Sequence, residues 1–286
     1  MSNPVPQVRS VSALRSAVAA WRAAGSRIGL VPTMGALHEG HLSLVTLLKQ
    51  SNDKVVVSIF VNPTQFAPHE DFDSYPRTEE SDLQKLASVG ADLAFIPNAR
   101  EMYPEGFATQ VSVGGVTSRL EGVSRPHFFS GVATVVTKLL LQCGADAAAF
   151  GEKDYQQLLT IKRFARDLDI PTEIIGGATL RESDGLAMSS RNAYLSADER
   201  VIAGKMNVIL QNAGKRALTG AAPDLAEAEA ADALRVAGFD SVDYVSIADA
   251  ETLEPFGQRH IDRPGRILAA ARIGKTRLID NFPVVP

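Results

Sequence analysis

The sequence predicts an α/β fold in which a larger domain with a parallel β-sheet precedes a smaller α+β domain. Two observations support this prediction. In the first part of the chain, runs of β-branched residues such as residues 55–61 alternate with amphipathic helical patterns, which is typical of a doubly wound parallel sheet. Near Gly176 and Gly177 the pattern changes to long helices followed by strands. We therefore predict domains at residues 1–178 and 179–286.

The first domain opens with a helical pattern. Apolar residues form one helical stripe along residues 11–21. The segment before Glu39 lacks acidic residues and resembles a transit peptide in composition, but its stripe runs almost directly into a strand pattern, so we assign it to the fold. Strands are predicted at residues 28–31, 55–61, 91–96, 147–150 and 173–175, which with the helices between them indicates a Rossmann-like domain. Residues 97–130 are predicted to be a long irregular segment.

Capping residues mark several helix starts. Thr78 is predicted to cap a helix with an acidic first turn. In the second domain, Ser196 and Glu199 form a capping box for a long helix, and Asp224 is predicted to cap the next one. Strands follow at residues 242–247, 266–273 and 276–282. Gly274 lies between the last two strands, where we predict a hairpin turn.

Composition excludes several classes of protein. The 29 Lys and Arg residues are balanced by 33 Asp and Glu residues, so the chain offers no basic excess for nucleic acid. No uncharged apolar run approaches the ~18 residues that a membrane span needs. Cys143 is the single cysteine and lies in an apolar helical pattern, so we interpret it as a buried, inert thiol. We expect a cytoplasmic protein with no nucleic-acid or membrane partner.

The chemistry is predicted to centre on residues 27–48, where a strand, a loop and a helix follow one another. Gly35 and Gly40 allow tight backbone turns, and the start of the helix carries unpaired N–H groups that suit an anion. His38 and His41 are three residues apart, so they share one face of the first helical turn. Two imidazoles aimed at an anion can donate hydrogen bonds to charge that develops during a reaction.

Other glycine and histidine motifs fit this stretch less well. Gly35 and Gly40 have the spacing of a Walker loop, but His41 and Leu42 stand where Lys and Ser or Thr are required. The sequence has no Gly-x-Gly-x-x-Gly fingerprint, and a zinc protease needs histidines four residues apart rather than three. A strand-glycine-helix turn without a ligand is common in α/β proteins and stays an alternative.

Three further polar clusters are candidates for ligand binding. The amides of Asn62 and Gln65 suit the hydroxyl and carboxylate groups of a small substrate, although an Asn-Pro turn without a ligand fits equally well. The string Gly-Glu-Lys-Asp at residues 151–154 combines both charge signs, and a solvated salt bridge is the alternative. The string Met-Ser-Ser-Arg at residues 188–191 suits phosphate oxygens, and a helix-capping turn is the alternative.

Residues 34–41, Met-Gly-Ala-Leu-His-Glu-Gly-His, resemble the His-x-Gly-His signature of the nucleotidylyltransferase superfamily, and in particular the pantothenate synthetase (pantoate-β-alanine ligase) family. Similar strings occur in order at residues 62–66, 75–78, 151–158, 188–191 and 277–281, and Glu121 and Arg125 also match. One string departs from the family, which usually reads Arg-Pro-x-His-Phe. Here His127 stands one place early and Phe128 takes its position, so we leave His127 out of the predicted site.

The resemblance implies ATP-dependent ligation of pantoate and β-alanine through a pantoyl adenylate, a step of pantothenate biosynthesis that releases AMP and pyrophosphate. The catalytic residues that it implies are His38, His41, Lys153, Ser189, Ser190 and Arg191. The implied ATP-binding residues are Met34, Gly35, Ala36, Leu37, His38, Glu39, Gly40, His41, Gly151, Glu152, Lys153, Asp154, Leu180, Met188, Ser189, Ser190 and Arg191. The implied pantoate-binding residues are Met34, Asn62, Gln65 and Gln157.

The resemblance also implies Mg²⁺ bound with ATP, a homodimer, and a smaller domain that acts as a lid. Residues 188–191 are expected to close over the triphosphate, with Lys153 on the phosphates and Asp154 on the ribose or the metal. The sequence does not identify the metal ligands, and Asp82 is one acidic candidate. Two alternatives stay open, a nucleotidylyltransferase that keeps a dinucleotide product and a nucleotide-binding module without turnover.

Overall fold

A six-stranded sheet forms the centre of the first part of the chain in the computed structural model, which describes residues 5–68 and 70–286. Its strands are β1 (Gln7–Val8), β2 (Ile28–Thr33), β3 (Lys54–Ile59), β4 (Leu93–Phe95), β5 (Ala147–Gly151) and β6 (Glu173–Gly177). Their order is β1-β4-β3-β2-β5-β6, and every pairing is parallel. The predicted parallel sheet is confirmed. β1 was not predicted, because a strand of 2 residues is too short to show a periodic pattern.

Helices cover both faces of this sheet. They are α1 (Val11–Ala23), α2 (Glu39–Lys49), α3 (Glu79–Ser88), α4 (Ala99–Met102), α5 (Glu121–Ser124), α6 (Phe128–Cys143) and α7 (Tyr155–Asp167). Neighbouring residues of a strand face opposite sides, so Val56 packs in a cluster with α1, α6 and α7, whereas Val57 packs with α2 and α3. This two-sided packing is the predicted doubly wound arrangement.

The strand predicted at residues 28–31 is longer than expected. β2 continues through Pro32 to Thr33, which pairs with Ile59 of β3. Its pairing with β5 ends earlier, at Leu30. The proline therefore lies where β2 has already separated from one of its two neighbours, which is where a residue without an N–H group is tolerated.

One predicted helix cap is right in position only, and another is wrong. Thr78 is the N-cap residue of α3, but its Oγ1 donates to Asp82 Oδ1 at 3.2 Å and caps no backbone N–H. Asp224 is not the cap of its helix, because Ala222 is at the cap position and Pro223 is the first helical residue. Proline suits that first position, since its missing N–H group would have no partner within the helix.

The second part of the chain consists of two helices and an antiparallel sheet, as predicted. Its elements are α8 (Ala197–Leu218), α9 (Pro223–Ala237), β7 (Ser241–Asp249), β8 (Gly265–Ile273) and β9 (Thr276–Val284), with strand order β7-β8-β9. The capping box of Ser196 and Glu199 starts α8. Gly274, at φ 53°, lies in the predicted hairpin turn between β8 and β9. Both helices and all three strands contribute to one apolar core.

The chain divides into two compact units. The larger unit comprises the described residues of Met1–Thr117, Glu121–Glu152 and Gln157–Ala178. The smaller unit comprises Ser118–Leu120, Lys153–Gln156 and Thr179–Pro286. Cys143 is buried in the larger unit, and burial raises its pKa to about 12, so the interpretation as an inert thiol is confirmed. Among the described residues, no helix is both long enough and apolar enough to cross a membrane.

Candidate active site

The strand order creates a topological switch point beside β2. From β2 the chain continues through β3 and β4 on one side, and through β5 and β6 on the other. Open α/β sheets bind ligands at the carboxyl ends of the strands beside such a point. Residues 34–41 follow β2, residues 62–65 follow β3, and residues 151–152 lie at the end of β5. Because the three strands are parallel neighbours, these predicted site segments leave the sheet at one edge.

A buried carboxylate fixes the loop after β2. Gly35 and Ala36 have positive φ angles of 84° and 50°. Ala36 N donates to Asp82 Oδ2 at 2.9 Å, and Leu37 N donates to Oδ1 at 2.8 Å. Asp82 is 0% exposed, and both of its oxygens accept these backbone hydrogen bonds. The arrangement assigns Asp82 to loop support, so its candidacy as a metal ligand does not fit the structure.

The two histidines cap the start of α2 with their own rings. His38 is the N-cap residue, and its Nδ1 accepts from the Gly40 N–H at 3.2 Å. His41 Nδ1 accepts from the His38 N–H at 3.3 Å, and the two ring centroids are 4.1 Å apart. Gly40 therefore lies in the first helical turn and does not form the tight turn expected from the sequence.

These hydrogen bonds determine where each imidazole carries its proton. Because Nδ1 accepts a backbone hydrogen bond in both rings, each neutral ring has its hydrogen on Nε2. Among the N–H groups at this helix start, that of Gly40 is already used by His38. The imidazole Nε2–H groups are further donors for an anion, and the backbone fixes their orientation. Such fixed donors stabilise charge that develops in a transition state.

Asn62 and Gln65 form one hydrogen-bonded unit after β3. Asn62 Nδ2 donates to Gln65 Oε1 at 3.1 Å and to the Gly131 carbonyl at 3.2 Å. Gln65 Nε2 donates to Met34 Sδ at 3.1 Å. The structure thus brings together three of the four predicted pantoate residues, Met34, Asn62 and Gln65. Asn62 is only 1% exposed, so in this structure it orients the amide of Gln65.

Three residues that the sequence analysis misses support this unit. Tyr103 Oη donates to Asn62 Oδ1 at 2.7 Å, and Thr64 Oγ1 donates to the same oxygen at 3.0 Å. Burial raises the pKa of Tyr103, so its hydroxyl stays protonated and can donate at neutral pH. Gly131 in α6 approaches the turn so closely that a Cβ there would lie 2.5 Å from the Thr64 carbonyl oxygen. The roles of Tyr103 and Gly131 depend on tertiary contacts and have no local sequence signal, whereas Thr64 contacts Asn62 from two residues away.

Arg125 supports the same turn from the long irregular segment. Its Nε and Nη2 donate to the two carboxylate oxygens of Glu70, each at 2.6 Å, and Nη2 also donates to the Gln65 carbonyl at 3.3 Å. Phe128 packs against the guanidinium, which lies 4.0 Å from the ring centroid. The departure from the family pattern therefore places an aromatic ring against Arg125.

The shifted histidine lies in a different environment. His127 is exposed and lines a cavity of about 770 Å³ together with Tyr103 and Phe107. The described residues that line this cavity do not include His38 or His41. Thr64 and Gly131 also line this cavity, so it adjoins the unit of Asn62 and Gln65, and His127 stays outside the predicted site.

Lys153 and Asp154 lie in a 3₁₀ turn, Glu152–Asp154, that follows β5. Lys153 Nζ is 3.7 Å from Asp154 Oδ2, which is an ion pair but too long for a hydrogen bond. The local salt bridge that the sequence left as an alternative is therefore present, but weak. The Lys153 carbonyl accepts a hydrogen bond from Asn281 Nδ2 at 2.8 Å. Gln157 is half-buried in the first turn of α7.

The Met-Ser-Ser-Arg string follows a small hairpin in the smaller unit. Met188 N donates to the Leu180 carbonyl at 3.0 Å, which closes the hairpin. Ser189 Oγ then accepts the Arg191 N–H at 3.3 Å and caps the 3₁₀ turn Ser190–Tyr194. The capping turn that the sequence left open is present. The Ser189 hydroxyl hydrogen can still donate, because capping uses only an oxygen lone pair.

An ionic network supports this hairpin. Arg200 Nη1 donates to Glu182 Oε1 at 3.0 Å, and its Nε and Nη2 donate to the two oxygens of Asp184 at 2.9 and 3.0 Å. Asn192 Nδ2 donates to Glu182 Oε1 at 2.9 Å, which ties the 3₁₀ turn to the network. The hydrogen bond from Arg200 lowers the pKa of Glu182, so this carboxylate stays ionised at neutral pH.

Known proteins resemble this chain over its whole length. A family model described as Pantoate-beta-alanine ligase matches residues 6–283. The pantothenate synthetase of Caulobacter vibrioides is 57% identical over 285 residues, which cover 99% of this chain and 100% of that protein. The pantothenate synthetase of Paramagnetospirillum magneticum is 59% identical over 294 residues and covers both chains completely, at 100% each.

Solved structures show the same similarity. A pantothenate synthetase from Thermus thermophilus superposes with a TM-score of 0.92 at 44% identity, covering 99% of this chain and 100% of that one. A pantoate-beta-alanine ligase from Francisella tularensis, complexed with beta-gamma ATP and beta-alanine, superposes with a TM-score of 0.82 at 36% identity, covering 97% of each chain. With its parallel sheet, its paired histidines and these full-length matches, the chain belongs to the pantoate-beta-alanine ligase family.

Proposed function

We propose that this chain ligates pantoate and β-alanine to pantothenate at the expense of ATP, with release of AMP and pyrophosphate. Membership of the pantoate-beta-alanine ligase family supports this activity. The observation that carries the proposed chemistry is the pair of imidazoles of His38 and His41, whose Nδ1 atoms both accept backbone hydrogen bonds. That pair lies at the start of α2, directly after the loop that follows β2, at the switch point of the sheet.

The reaction needs activation because a carboxylate lacks a good leaving group. In the first step a carboxylate oxygen of pantoate attacks the α-phosphorus of ATP. The bond from this phosphorus to the oxygen bridging to the β-phosphate breaks, and pyrophosphate leaves with that oxygen. In the second step the amine of β-alanine attacks the carbonyl carbon of the adenylate. The bond from this carbon to the AMP oxygen breaks, AMP leaves, and the new nitrogen loses a proton to give the amide.

His38 and His41 act in the first step. Negative charge increases on the leaving pyrophosphate as its bond to the α-phosphorus breaks. Two Nε2–H groups in fixed orientation donate hydrogen bonds to that charge more strongly than to the ground state. Asp82 contributes indirectly, because it holds the backbone of Ala36 and Leu37 directly before the histidines.

Pantoate binds next to the hydrogen-bonded amides after β3. Gln65 and Gln157 orient its carboxylate and hydroxyl groups, and Met34 provides an apolar wall. The contact from Gln65 Nε2 to a thioether sulfur is weak, so a substrate oxygen can replace it at little cost. The predicted pantoate residue Asn62 holds Gln65 in the required orientation.

The remaining predicted ATP residues bind the nucleotide. Lys153 neutralises phosphate charge, and the Ser189 and Ser190 hydroxyls with the Arg191 guanidinium contact phosphate oxygens. Closure of residues 188–191 over the triphosphate would exclude water from the adenylate, which water would otherwise hydrolyse. In this proposal residues 1–178 bind nucleotide and pantoate, and residues 179–286 act as the lid.

Mg²⁺ fits this site as a companion of ATP. Among the described residues there is no group of three or more His, Cys, Asp and Glu side chains that could hold a metal ion. That is compatible with Mg²⁺, which binds through one or two carboxylates together with substrate phosphates. Asp154 is the carboxylate that we propose as its protein ligand. When bound, the ion neutralises part of the phosphate charge.

A homodimer and a cytoplasmic location complete the proposal. The buried Cys143, which forms no disulfide, is compatible with a reducing compartment. Sedimentation of the purified protein over a range of concentrations would test the dimer, and a single monomeric species at all concentrations would contradict it.

An assay with single omissions tests the activity. The purified chain is incubated with ATP, Mg²⁺, pantoate and β-alanine, and AMP, pyrophosphate and pantothenate are measured. We expect AMP to form only when all the substrates are present, and pyrophosphate to form in a single turnover without β-alanine. A dinucleotide product would indicate a nucleotidylyltransferase. ATP binding without any turnover would indicate a binding module, and both results would overturn the proposal.

A further inference from the structure

Residues 277–281 match the family sequence, but the reaction described above gives them no role. We propose that two of them, Asp280 and Asn281 in β9, are positioning residues for the phosphate-binding segments. Asn281 holds Lys153, and Asp280 holds the hairpin before residues 188–191. This inference rests on the proposed function, because it assumes that Lys153 and residues 188–191 contact ATP.

Asn281 holds the main chain of Lys153 with a side chain whose orientation is fixed. Its Nδ2 donates to the Lys153 carbonyl at 2.8 Å, and its Oδ1 accepts from Arg266 Nε at 2.6 Å. Arginine has donors only, so the amide oxygen must face Arg266 and the NH₂ group must face the carbonyl. Asn281 is 4% exposed. Arg266 packs on Tyr155, with its guanidinium carbon 3.8 Å from the centroid of the ring. The contact therefore fixes the backbone that carries the lysine.

Asp280 holds the hairpin from the neighbouring position. Arg181 Nη1 and Nη2 donate to its two oxygens at 2.7 and 2.9 Å, and Asp280 is 2% exposed. The guanidinium carbon of Arg181 also lies 4.0 Å from the centroid of the Phe282 ring. Its Nη1 donates to the Gly185 carbonyl within the hairpin at 3.0 Å. Arg181 forms an antiparallel bridge with Ala187, the residue directly before Met188. The ion pair therefore anchors the base of the Met-Ser-Ser-Arg segment.

Strand geometry explains how adjacent residues serve two segments. Successive side chains of a β-strand point to opposite faces of the sheet. In register, Asn281 lies opposite Leu268 and shares its face with Arg266, which binds it. Asp280 shares the other face with Phe282, against which Arg181 packs. β9 thus supports Lys153 from one face and the hairpin from the other, so one strand contacts both segments.

The main test replaces the Asn281 amide by a carboxylate of the same shape. Asn281→Asp keeps an oxygen for Arg266 but has no N–H group for the Lys153 carbonyl. We expect the rate of pyrophosphate release from ATP and pantoate to fall about 10- to 100-fold, the size of effect that misplacing a reacting group by ~1 Å produces. The matched control is Asp243→Asn in β7, which replaces the carboxylate that accepts from Arg277 Nε at 2.6 Å by a neutral amide in the same sheet. We expect the control to keep the wild-type rate.

A double-mutant cycle separates positioning from general stability. If Asn281 acts through Lys153, then Asn281→Asp should reduce the rate much less in a Lys153→Ala background than in the wild type. Equal fold losses in the two backgrounds would overturn the inference for Asn281, as would a rate equal to that of the Asp243→Asn control.

Asp280→Asn provides a second variant, which also serves if Asn281→Asp does not fold. The Asp280→Asn substitution leaves a single, uncharged oxygen to accept from Arg181. Because this weakens the support of the hairpin, we expect a several-fold rise in KM for ATP with little change in KM for pantoate. If the wild type is active and both Asn281→Asp and Asp280→Asn behave like the Asp243→Asn control, this inference is overturned and the proposed function stays intact. A wild type that releases no pyrophosphate would overturn both.

Discussion

His41 allows the role of one ring nitrogen to be tested apart from the other. Its Nδ1 accepts the His38 N–H in the cap of α2, whereas Nε2 is the proposed donor to phosphate. An asparagine side chain places an acceptor near the position of Nδ1, and a glutamine side chain places a donor near that of Nε2. The two substitutions therefore separate helix capping from catalysis.

We expect His41→Asn to keep the stability of the protein and to lower the rate of adenylate formation by at least ~10²-fold, the loss typical of one fixed donor. His41→Gln should keep more activity but lose some stability, since it removes the cap. Single-turnover release of pyrophosphate gives the rate, and thermal unfolding gives the stability. A His41→Asn variant with the wild-type rate would refute the assignment of Nε2.

Substitution of Asp82 can show whether this residue supports the loop or binds a metal ion. Asp82→Asn replaces one acceptor by an NH₂ group that faces a backbone N–H of the loop. We expect a loss of about 1–3 kcal/mol in the free energy of unfolding, the usual cost of a buried unpaired polar group, and slower adenylate formation. The Mg²⁺ concentration that gives half-maximal rate should stay the same. A large rise in that concentration would instead favour a metal role for Asp82.

At the scale of elements, the close approach of α6 to the turn at Gln65 shapes the proposed pantoate site. A Cβ added at Gly131 would lie 2.5 Å from the Thr64 carbonyl oxygen and 2.8 Å from Gln65 Cα. Gly131→Ala must therefore displace the helix or the turn, and overpacking of this kind costs about 1–3 kcal/mol. We expect KM for pantoate to rise while KM for ATP changes little.

Gly114→Ala is the control, because no atom lies within 4 Å of its added Cβ. Equal KM values for pantoate in both variants would contradict this view of the turn.

The sequence predicts elements better than it predicts their contacts. Apolar periodicity places the strands β2 to β9, because burial on one or both faces leaves a pattern within a few residues. The cap motifs at Thr78 and Asp224 are less reliable, since the Thr78 hydroxyl donates to Asp82 in the same helix and Pro223 rather than Asp224 begins the next helix. The loop after β2 depends on Asp82, which is 45 residues from Leu37 in the chain. Such partners are set by the folded sheet.

At the scale of the whole molecule, the proposed site also depends on charged groups that have no catalytic role. Arg125 with Glu70 supports the turn at Gln65, and Arg181 with Asp280 supports the hairpin. The motif strings indicate where we propose that ligands bind, but they do not indicate these supports, because either partner alone looks like an ordinary surface charge. Buried ion pairs are sensitive to the loss of one partner, since the other charge is left without compensation.

Because of Asp249, the stability of the smaller unit is expected to change with pH in the acid range. Burial alone would raise the pKa of Asp249, but hydrogen bonds from Arg263 and from the N–H groups of Thr252 and Glu251 outweigh it and lower the pKa to about 2. A carboxyl with a lowered pKa stabilises the fold above its unfolded-state pKa of ~3.9 and loses this contribution as the pH falls through the folded value. The contribution near pH 7 is therefore on the order of 2 kcal/mol.

We expect Asp249→Asn to lower the free energy of unfolding by about 1–2 kcal/mol near pH 7, because the amide cannot replace a carboxylate for Arg263. The difference from the wild type should shrink as the pH is lowered from ~4 towards ~2, where the wild-type carboxyl itself becomes protonated. Calorimetric unfolding at several pH values measures both effects. Asp262→Asn is the control, since Asp262 also accepts from Arg263, at 2.9 Å, but its side chain is 67% exposed, so it should change little at any pH. A difference between Asp249→Asn and the wild type that stays constant down to pH ~2 would show that Asp249 is not the titrating group.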